Sequence, residues 1–410
     1  MSQRGLFYGW IVLGAAALII CLGVGTLFSL GVFLKPIEES MGWSRSAIST
    51  VALINWIAMG VGSFLWGALS DRIGGRAVAV MGGVLLGLGM VVSSQVSTLP
   101  QFYLSFGVLV GLAVGAFYAP LTSTASKWFT VNRGLAVALV SAGIGLGTFV
   151  MAPLTRWLTS VYDWRIAMMI LGDVDWLLII PAALLIRNAP PQPERRGATV
   201  MAEPDVAARD VVMSPQFWAV SLTHFACCAA HSGPIFHMVT NAIDQGIPRM
   251  AAASVLGVSG LASIAGRIGC GLLADRFGAK RTLIVGLAMQ AVMVMLYVVT
   301  HDLAGFYALA LGFGIAYGGV MPLYALLIRQ YFGEKVMGTA YGAVFLVSTL
   351  GMGLGSYAGG WFFDHLGSYV GLFIASAGIG VGAVAIAATF RPPLTPRSLG
   401  GITPSLFIET

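Results

Sequence analysis

Charge is what this chain of 410 residues has least of. Asp, Glu, Lys and Arg make up 9% of it, against 58% hydrophobic residues. A water-soluble domain carries about 25% charged residues, so that class is excluded. There is no G-x-x-x-x-G-K-[ST] phosphate loop, which excludes a motor driven by ATP bound in that way and leaves a solute or ion gradient as the energy source. No cluster of His, Cys, Asp and Glu has metal-ligand spacing, and no nucleophile stands in a pattern with a base. Neither a metal, a cofactor nor an enzymatic activity is expected. Only four cysteines occur, Cys21, Cys227, Cys228 and Cys270, all in apolar runs. They read as small hydrophobes and not as a disulfide or zinc framework. The net charge of +6 is spread thinly over loops, which does not suggest a nucleic-acid partner. The first apolar run is too long for a signal peptide and lacks an A-x-A cleavage site.

What the chain does have is a succession of apolar runs. Spans are expected near 8–34, 48–69, 77–96, 101–127, 134–157 and 166–186, then near 216–240, 251–274, 282–300, 303–328, 338–362 and 370–389. About 20 residues of helix cross the ~30 Å hydrocarbon core of a bilayer. The expected fold class is therefore an all-α membrane protein of twelve transmembrane helices in two six-helix bundles. The first bundle covers 1–186 and the second 216–389, joined by a polar linker at 187–215 and followed by a tail at 390–410. Of the 22 lysines and arginines, only Lys35, Arg45, Arg156, Arg165 and Arg249 fall on the side opposite the N-terminus, and Arg267 falls inside a span. Positive loops stay in the cytoplasm, so both termini and the linker are expected there, in a multi-pass protein of the cell membrane.

The two halves repeat. Residues 67–76 read GALSDRIGGR and residues 271–281 read GLLADRFGAKR, with Asp71 and Asp275 204 positions apart. Trp128-Phe129 before Gly134 matches Tyr331-Phe332 before Gly338 at nearly the same offset. Two matches at one period indicate a duplicated six-helix unit, and such repeats place a substrate site between them. The paired GxLxDRxGxR loop resembles the signature of the major facilitator superfamily. That resemblance implies the superfamily's fold and transport by alternating access, with Asp71, Arg72, Asp275 and Arg276 as a cytoplasmic gate. An aspartate ends each span and can meet an arginine or a helix N-terminus when the gate closes; a plain turn is the alternative. Gly143, Gly145 and Gly147 in span 5 and Gly351, Gly353, Gly355, Gly359 and Gly360 in span 11 allow close helix approach. They suit either moving helices or tight packing.

Arg267 is the one lysine or arginine deep in a span. A guanidinium left unpaired in hydrocarbon costs at least ~2.5–3.5 kcal/mol, so an anion should meet it, and a carboxylate fits its fork with two hydrogen bonds. The alternative is a structural pair with Asp173 or Asp175 in span 6. The chain also resembles the monocarboxylate and oxalate/formate branch of the superfamily, through Tyr8-Gly9-Trp10, the run from Gly31 to Ile37, Arg267 eight residues before Asp275, and His237 and Asp244 near the end of span 7. The resemblance implies transport of a small carboxylate, in many relatives together with a proton. Arg267 would take the carboxylate; Ser263, Tyr118 and Tyr317 would contribute hydroxyls, and Leu27 would bound the apolar end. Two positions depart from the animal monocarboxylate pattern: Ser263 stands where an aspartate is usual and Phe28 where a lysine is usual. His237 and Asp244 are then the proton-coupling candidates, since histidine titrates near neutrality. His224 and His231 share a face of span 7 and read as packing or cavity residues. The stretch from Gly338 to Trp361 has no lysine or arginine, which favours a monoanion such as lactate or pyruvate over a dianion. A carrier of the same fold for another solute, such as a drug–proton antiporter or another organic anion exchanger, predicts a wide apolar cavity. A sensor that does not transport predicts an extended soluble segment, for which linker and tail are too short. A monomer in the lipid bilayer is expected.

Overall fold

The computed structural model describes residues 7–129, 133–189, 208–333 and 337–391, and among them all regular elements are helices. Span 1 is Tyr8–Phe28 continued by Leu30–Met41. Spans 2 and 3 are Arg45–Ile73 and Gly75–Ser94. Span 4 is assembled from Leu99–Phe102, a π-helical stretch Tyr103–Val110, Gly111–Gly115 and Tyr118–Lys127. Spans 5 and 6 are Arg133–Val161 and Trp164–Leu184. The second half has Pro215–Asp244, Arg249–Phe277, Ala279–Leu296, Leu303–Phe332, Met337–Leu366 and Val370–Ala388 as spans 7 to 12. Eleven of these are long and apolar enough to cross a membrane. Span 7 has the length, 30 residues, but carries His224, His231 and His237 and is buried along most of its course.

The ends of the helices follow from local chemistry. Ser44, Asp163, Ser214 and Asp302 each cap a helix by accepting a backbone N–H three residues on, the usual role of such residues at the N-cap. Spans 2 and 8 stop at Gly74 and Gly278, whose φ values of +87° and +86° are open to glycine and strained for L side chains. These glycines are 204 positions apart, and so are the first residues of the two 29-residue helices, Arg45 and Arg249. Arg76 donates to the carbonyl of Ile186 at 2.7 Å, and Lys280 to that of Phe390 at 2.8 Å. Donors and acceptors are again 204 apart. Arg76 and Lys280, at matching positions of the two loops, thus hold the carbonyl just beyond the final helix of their own half.

Across the halves, span 2 packs on span 11 and span 5 on span 8. The glycines of span 5 serve two partners. Positions 143 and 147, one turn apart, touch the backbone of span 1. Gly145, on the opposite side, lies on Gly260, Ser263 and Ile264 of span 8, where a Cβ would sit 2.7 Å from the Ile264 side chain. In span 11, Gly351 and Gly355 meet span 7, whereas Gly353 and Gly360 meet span 2. These glycines are tight contacts both within and between the bundles.

Three expectations are corrected. Span 1 does not close near residue 34 but continues to Met41 past Pro36, after a break at Ser29 whose hydroxyl donates to the Thr26 carbonyl. Span 2 begins at Arg45 and not near 48, because the Ser44 cap adds a turn that hydropathy does not register. Arg45 is consequently no loop residue: it is 1% exposed and the largest fully buried side chain. The linker includes a short helix, Ala208–Met213; residues 190–207, and the tail from 392 on, lie outside the described residues.

Candidate functional site

Arg267 projects from span 8 ten residues before the helix ends, about 15 Å from that end at 1.5 Å per residue. It is half-buried, and its Nε is buried with no hydrogen-bond partner. No carboxylate among the described residues pairs with it. Asp175, fully buried in span 6, instead accepts from the Thr26 hydroxyl of span 1 at 3.0 Å. Asp173 faces outward from the same helix. The structural pairing of Arg267 with either acid is therefore absent, and the boundaries of span 6 stand.

Aromatic side chains of the second half lie within electrostatic range of the guanidinium instead. It is electrostatically coupled to His231 of span 7, Tyr317 of span 10 and Tyr341 of span 11. Tyr341 is coupled in turn to Tyr118 of span 4. Tyr118 shares a 3.1 Å hydrogen bond with Ser141. Tyr317, 6% exposed, stacks on His231 with ring centroids 5.5 Å apart and interacts with Ser263. Ser263 is fully buried, donates to the Gly260 carbonyl at 2.7 Å and borders Gly145 of the other half. Leu27 is buried in the apolar core of span 1, beside Phe28, whose ring packs on Phe236 across the halves. Two turns from His231, His224 stacks on Tyr324 at 4.0 Å and leaves its Nδ1 without a partner. Ser263 and Tyr317 thus adjoin each other, Ser263 one turn before Arg267 on span 8, whereas Tyr118 bonds to Ser141 within its own half. His231, read from the sequence as a packing or cavity residue, stacks on Tyr317, and Tyr341 is a residue that the sequence reading did not name.

His237 and Asp244 lie elsewhere, at the end of the bundle that holds Arg45. Asp244 accepts from both Nη atoms of Arg45, with Nη2 at 3.1 Å, and stands 3.5 Å from Lys35. Glu38 accepts from Arg45 Nε at 2.9 Å. The remaining face of the guanidinium rests 3.5 Å from the centre of the Phe363 ring, and Nη1 donates to the Tyr369 hydroxyl. Burial pushes the Tyr369 phenol above its ordinary range against the opposing pull of Arg45, with smaller help from Asp244 and Glu38. His237, fully buried, donates from Nε2 to the Ser356 carbonyl at 3.0 Å, since a carbonyl only accepts. Its Nδ1 therefore accepts from Tyr369 at 3.2 Å. Arg249 pairs with Glu39 at 2.6 Å, again across the halves. Arg45, Lys35 and Glu38 come from the first half and Asp244, Phe363 and Tyr369 from the second, so this cluster ties the two together.

At the opposite end, Arg72, Asp275 and Arg276 are exposed. Arg72 and Asp275 make no hydrogen bond or ion pair among the described residues, and Arg276 lies over its neighbour Phe277. The side chain of Asp71 is outside the described residues.

The sequence profile of the Major Facilitator Superfamily matches residues 13–355, with a second match over 242–405. The chain belongs to that superfamily. Within it, the chain is 30% identical to human monocarboxylate transporter 11, covering 97% of this chain and 85% of the relative. It is 27% identical to monocarboxylate transporter 13 of Bos taurus, over 90% and 86%. The oxalate:formate antiporter of Oxalobacter formigenes is also 27% identical, over 90% of each. Among solved structures, a bacterial homolog of the human lysosomal transporter Spinster, in an inward-facing occupied conformation, superposes with a TM-score of 0.73. It covers 94% of this chain and 97% of its own at 16% identity, a likeness of fold alone. This superfamily member is thus a multi-pass membrane transporter, and its relatives are named for transport and not for catalysis.

Proposed function

We propose that this superfamily member is a secondary active carrier of a small monocarboxylate, working by alternating access between bundles 1–186 and 216–389 in the cell membrane. The carrying observation is the buried Nε of Arg267, which no group among the described residues satisfies. A planar guanidinium in a partly dry site binds a carboxylate through two charge-assisted hydrogen bonds. Ser263, Tyr118 and Tyr317 flank it, with Leu27 on the apolar side. The names of the relatives agree with an organic anion as cargo. By the bias of positive charge, the termini and the Asp275 end are cytoplasmic. The Arg45 cluster then seals the outer side, while Asp71, Arg72, Asp275 and Arg276 form the inner gate, in which Arg72 and Asp275 are disengaged in this conformation. A proton accompanies the acid. His237 and Asp244 are its carriers, because opening the outer seal removes Arg45 from Asp244 and Tyr369 from His237. The carrier acts as a monomer.

The test is counterflow of labelled lactate or pyruvate in proteoliposomes of the purified protein. Saturable exchange that Arg267→Gln abolishes is expected. No exchange of any short organic acid, or undiminished exchange by the variant, refutes the reading. Exchange of lipophilic cations in place of acids would favour a drug carrier.

A further inference from the structure

The outer charge cluster reaches His237 through a single hydroxyl, and the direction of each hydrogen bond on the way is fixed. Arg45 Nη1 stands 2.8 Å from the Tyr369 oxygen, and a guanidinium only donates. At the other end, His237 Nε2 stands 3.0 Å from the Ser356 carbonyl, which only accepts. Ser49 Oγ, 3.4 Å from the same nitrogen, shares that hydrogen at longer range. The phenol hydrogen of Tyr369 is left for His237 Nδ1, 3.2 Å away. Two groups with no choice of role, one at each end, thus set one polarity, from Arg45 to Tyr369 to His237 to Ser356. The imidazole is neutral in this arrangement. Tyr369 is 2% exposed and His237 fully buried, so the link is shielded from solvent.

A second proton on the imidazole breaks this chain. Nδ1 would then donate, the Tyr369 oxygen would have to accept from two cations at once, and the phenol hydrogen would lose its acceptor. A stranded buried donor and two like charges across one oxygen both oppose that state. The other charged groups around the ring sit further out. Asp364 of span 11 accepts from the backbone N–H groups of Arg45 and Ser46 at 3.2 and 2.8 Å. Asp244 lies two turns on in span 7, and Lys35 and Glu38 of span 1 stand beside Arg45 and Asp244. Of the titratable groups among the described residues, only Tyr369 is hydrogen-bonded to the ring. Arg45 belongs to the first half, whereas Tyr369 and His237 belong to the second, so the chain exists only while the outer ends of the bundles meet. Resting on the reading of His237 as a proton carrier, we propose that Tyr369 makes a proton on His237 and a closed outer seal mutually exclusive. Tyr369 is then a positioning residue, which passes the state of Arg45 to the imidazole. A carrier loaded with the proton alone is held open to the outside. Closing against the conflict needs the bound acid as well, which forbids a proton leak.

The test is the distance between spin labels at Ser97→Cys and His301→Cys, exposed positions at the outer ends of the two halves, in the reconstituted full-length carrier without substrate. An imidazole titrates ordinarily near pH 6.5 and carboxylates near pH 4. Between pH 8 and pH 5 the ratio of open to sealed carrier should rise about 30-fold, the proton binding only the open form. Tyr369→Phe keeps a ring against Phe363 but has no phenol hydrogen to strand. That hydrogen is worth about tenfold, so the variant should respond only about threefold. His237→Gln should not respond. A distance that ignores pH in the otherwise unaltered carrier overturns the inference with no further variant. A full response that survives in Tyr369→Phe or His237→Gln overturns it as well, because acid then acts through Asp244, Glu38 or Asp364. Uptake of labelled lactate driven by an acid exterior separates the inference from the reading it rests on. Opening without driven uptake sinks the symport reading and leaves the exclusion standing; driven uptake without opening does the reverse.

Discussion

Arg45 and Arg267 are both arginines set into the helical bundle, and their surroundings are opposite. Arg45 is 1% exposed, and the chain supplies partners on every side: two carboxylates, a phenol hydroxyl and an aromatic face. Arg267 is less deeply buried, yet its buried Nε has no partner. A buried charge whose partners all come from the same chain holds that chain together. One whose partners are missing invites a ligand. Depth of burial would have ranked the two the wrong way round, whereas the deficit of partners separates structure from function.

Removing each charge breaks the comparison in a different direction. The largest effect is expected for Arg267→Gln. Acid exchange in proteoliposomes should fall by about 100-fold or more, as for truncation of one member of a buried charged contact. Its melting curve in detergent should barely move, because no group of the chain is stranded. Arg45→Ala should do the reverse. It leaves Asp244 and Glu38 with Lys35 alone as a shared cation, at a cost of about 2 kcal/mol because both acids are partly exposed. Melting temperature should drop clearly, with exchange affected through the conformational balance. His237→Gln sharpens the contrast further: counterflow at equal pH should persist within about twofold, while accumulation driven by an acid exterior is lost. Retained accumulation would remove His237 from proton coupling. The smallest effect is expected at Arg249, the repeat partner of Arg45. Its pair with Glu39 is 40% and 42% exposed, so Arg249→Ala should change stability by less than about 0.5 kcal/mol.

The architecture could be read from the residues because it repeats. Membrane helices announce themselves by long apolar runs, and the 204-residue offset survives from the loop motifs down to Gly74 and Gly278. Arg267 was legible for the same reason: a lone cation in an apolar run is conspicuous. Arg45 was not, because it stands at a helix start next to polar residues, and its main partner Asp244 is 199 positions away. The offset itself could have found it, since Arg45 and Arg249 are repeat equivalents. His231 was visible only as one of two histidines on a face of span 7; its stacking on Tyr317 depends on how spans 7 and 10 assemble. Asp175 looked alarming in the middle of a span, and a single threonine on span 1 accounts for it. The aspartate–arginine pairs of the repeated loop stand at the helix ends as the motif implies, but a motif does not say which conformation would engage them as a gate.

The orphaned guanidinium also has an electrical side. An empty binding site that contains a fixed positive charge feels the transmembrane voltage, at about 2.3 kcal/mol per elementary charge per 100 mV for full displacement across the field. A bound monoanion cancels that charge. On this reading, the proton that accompanies the acid restores it, so loaded and vacant forms feel the membrane potential alike and the complete cycle moves no net charge.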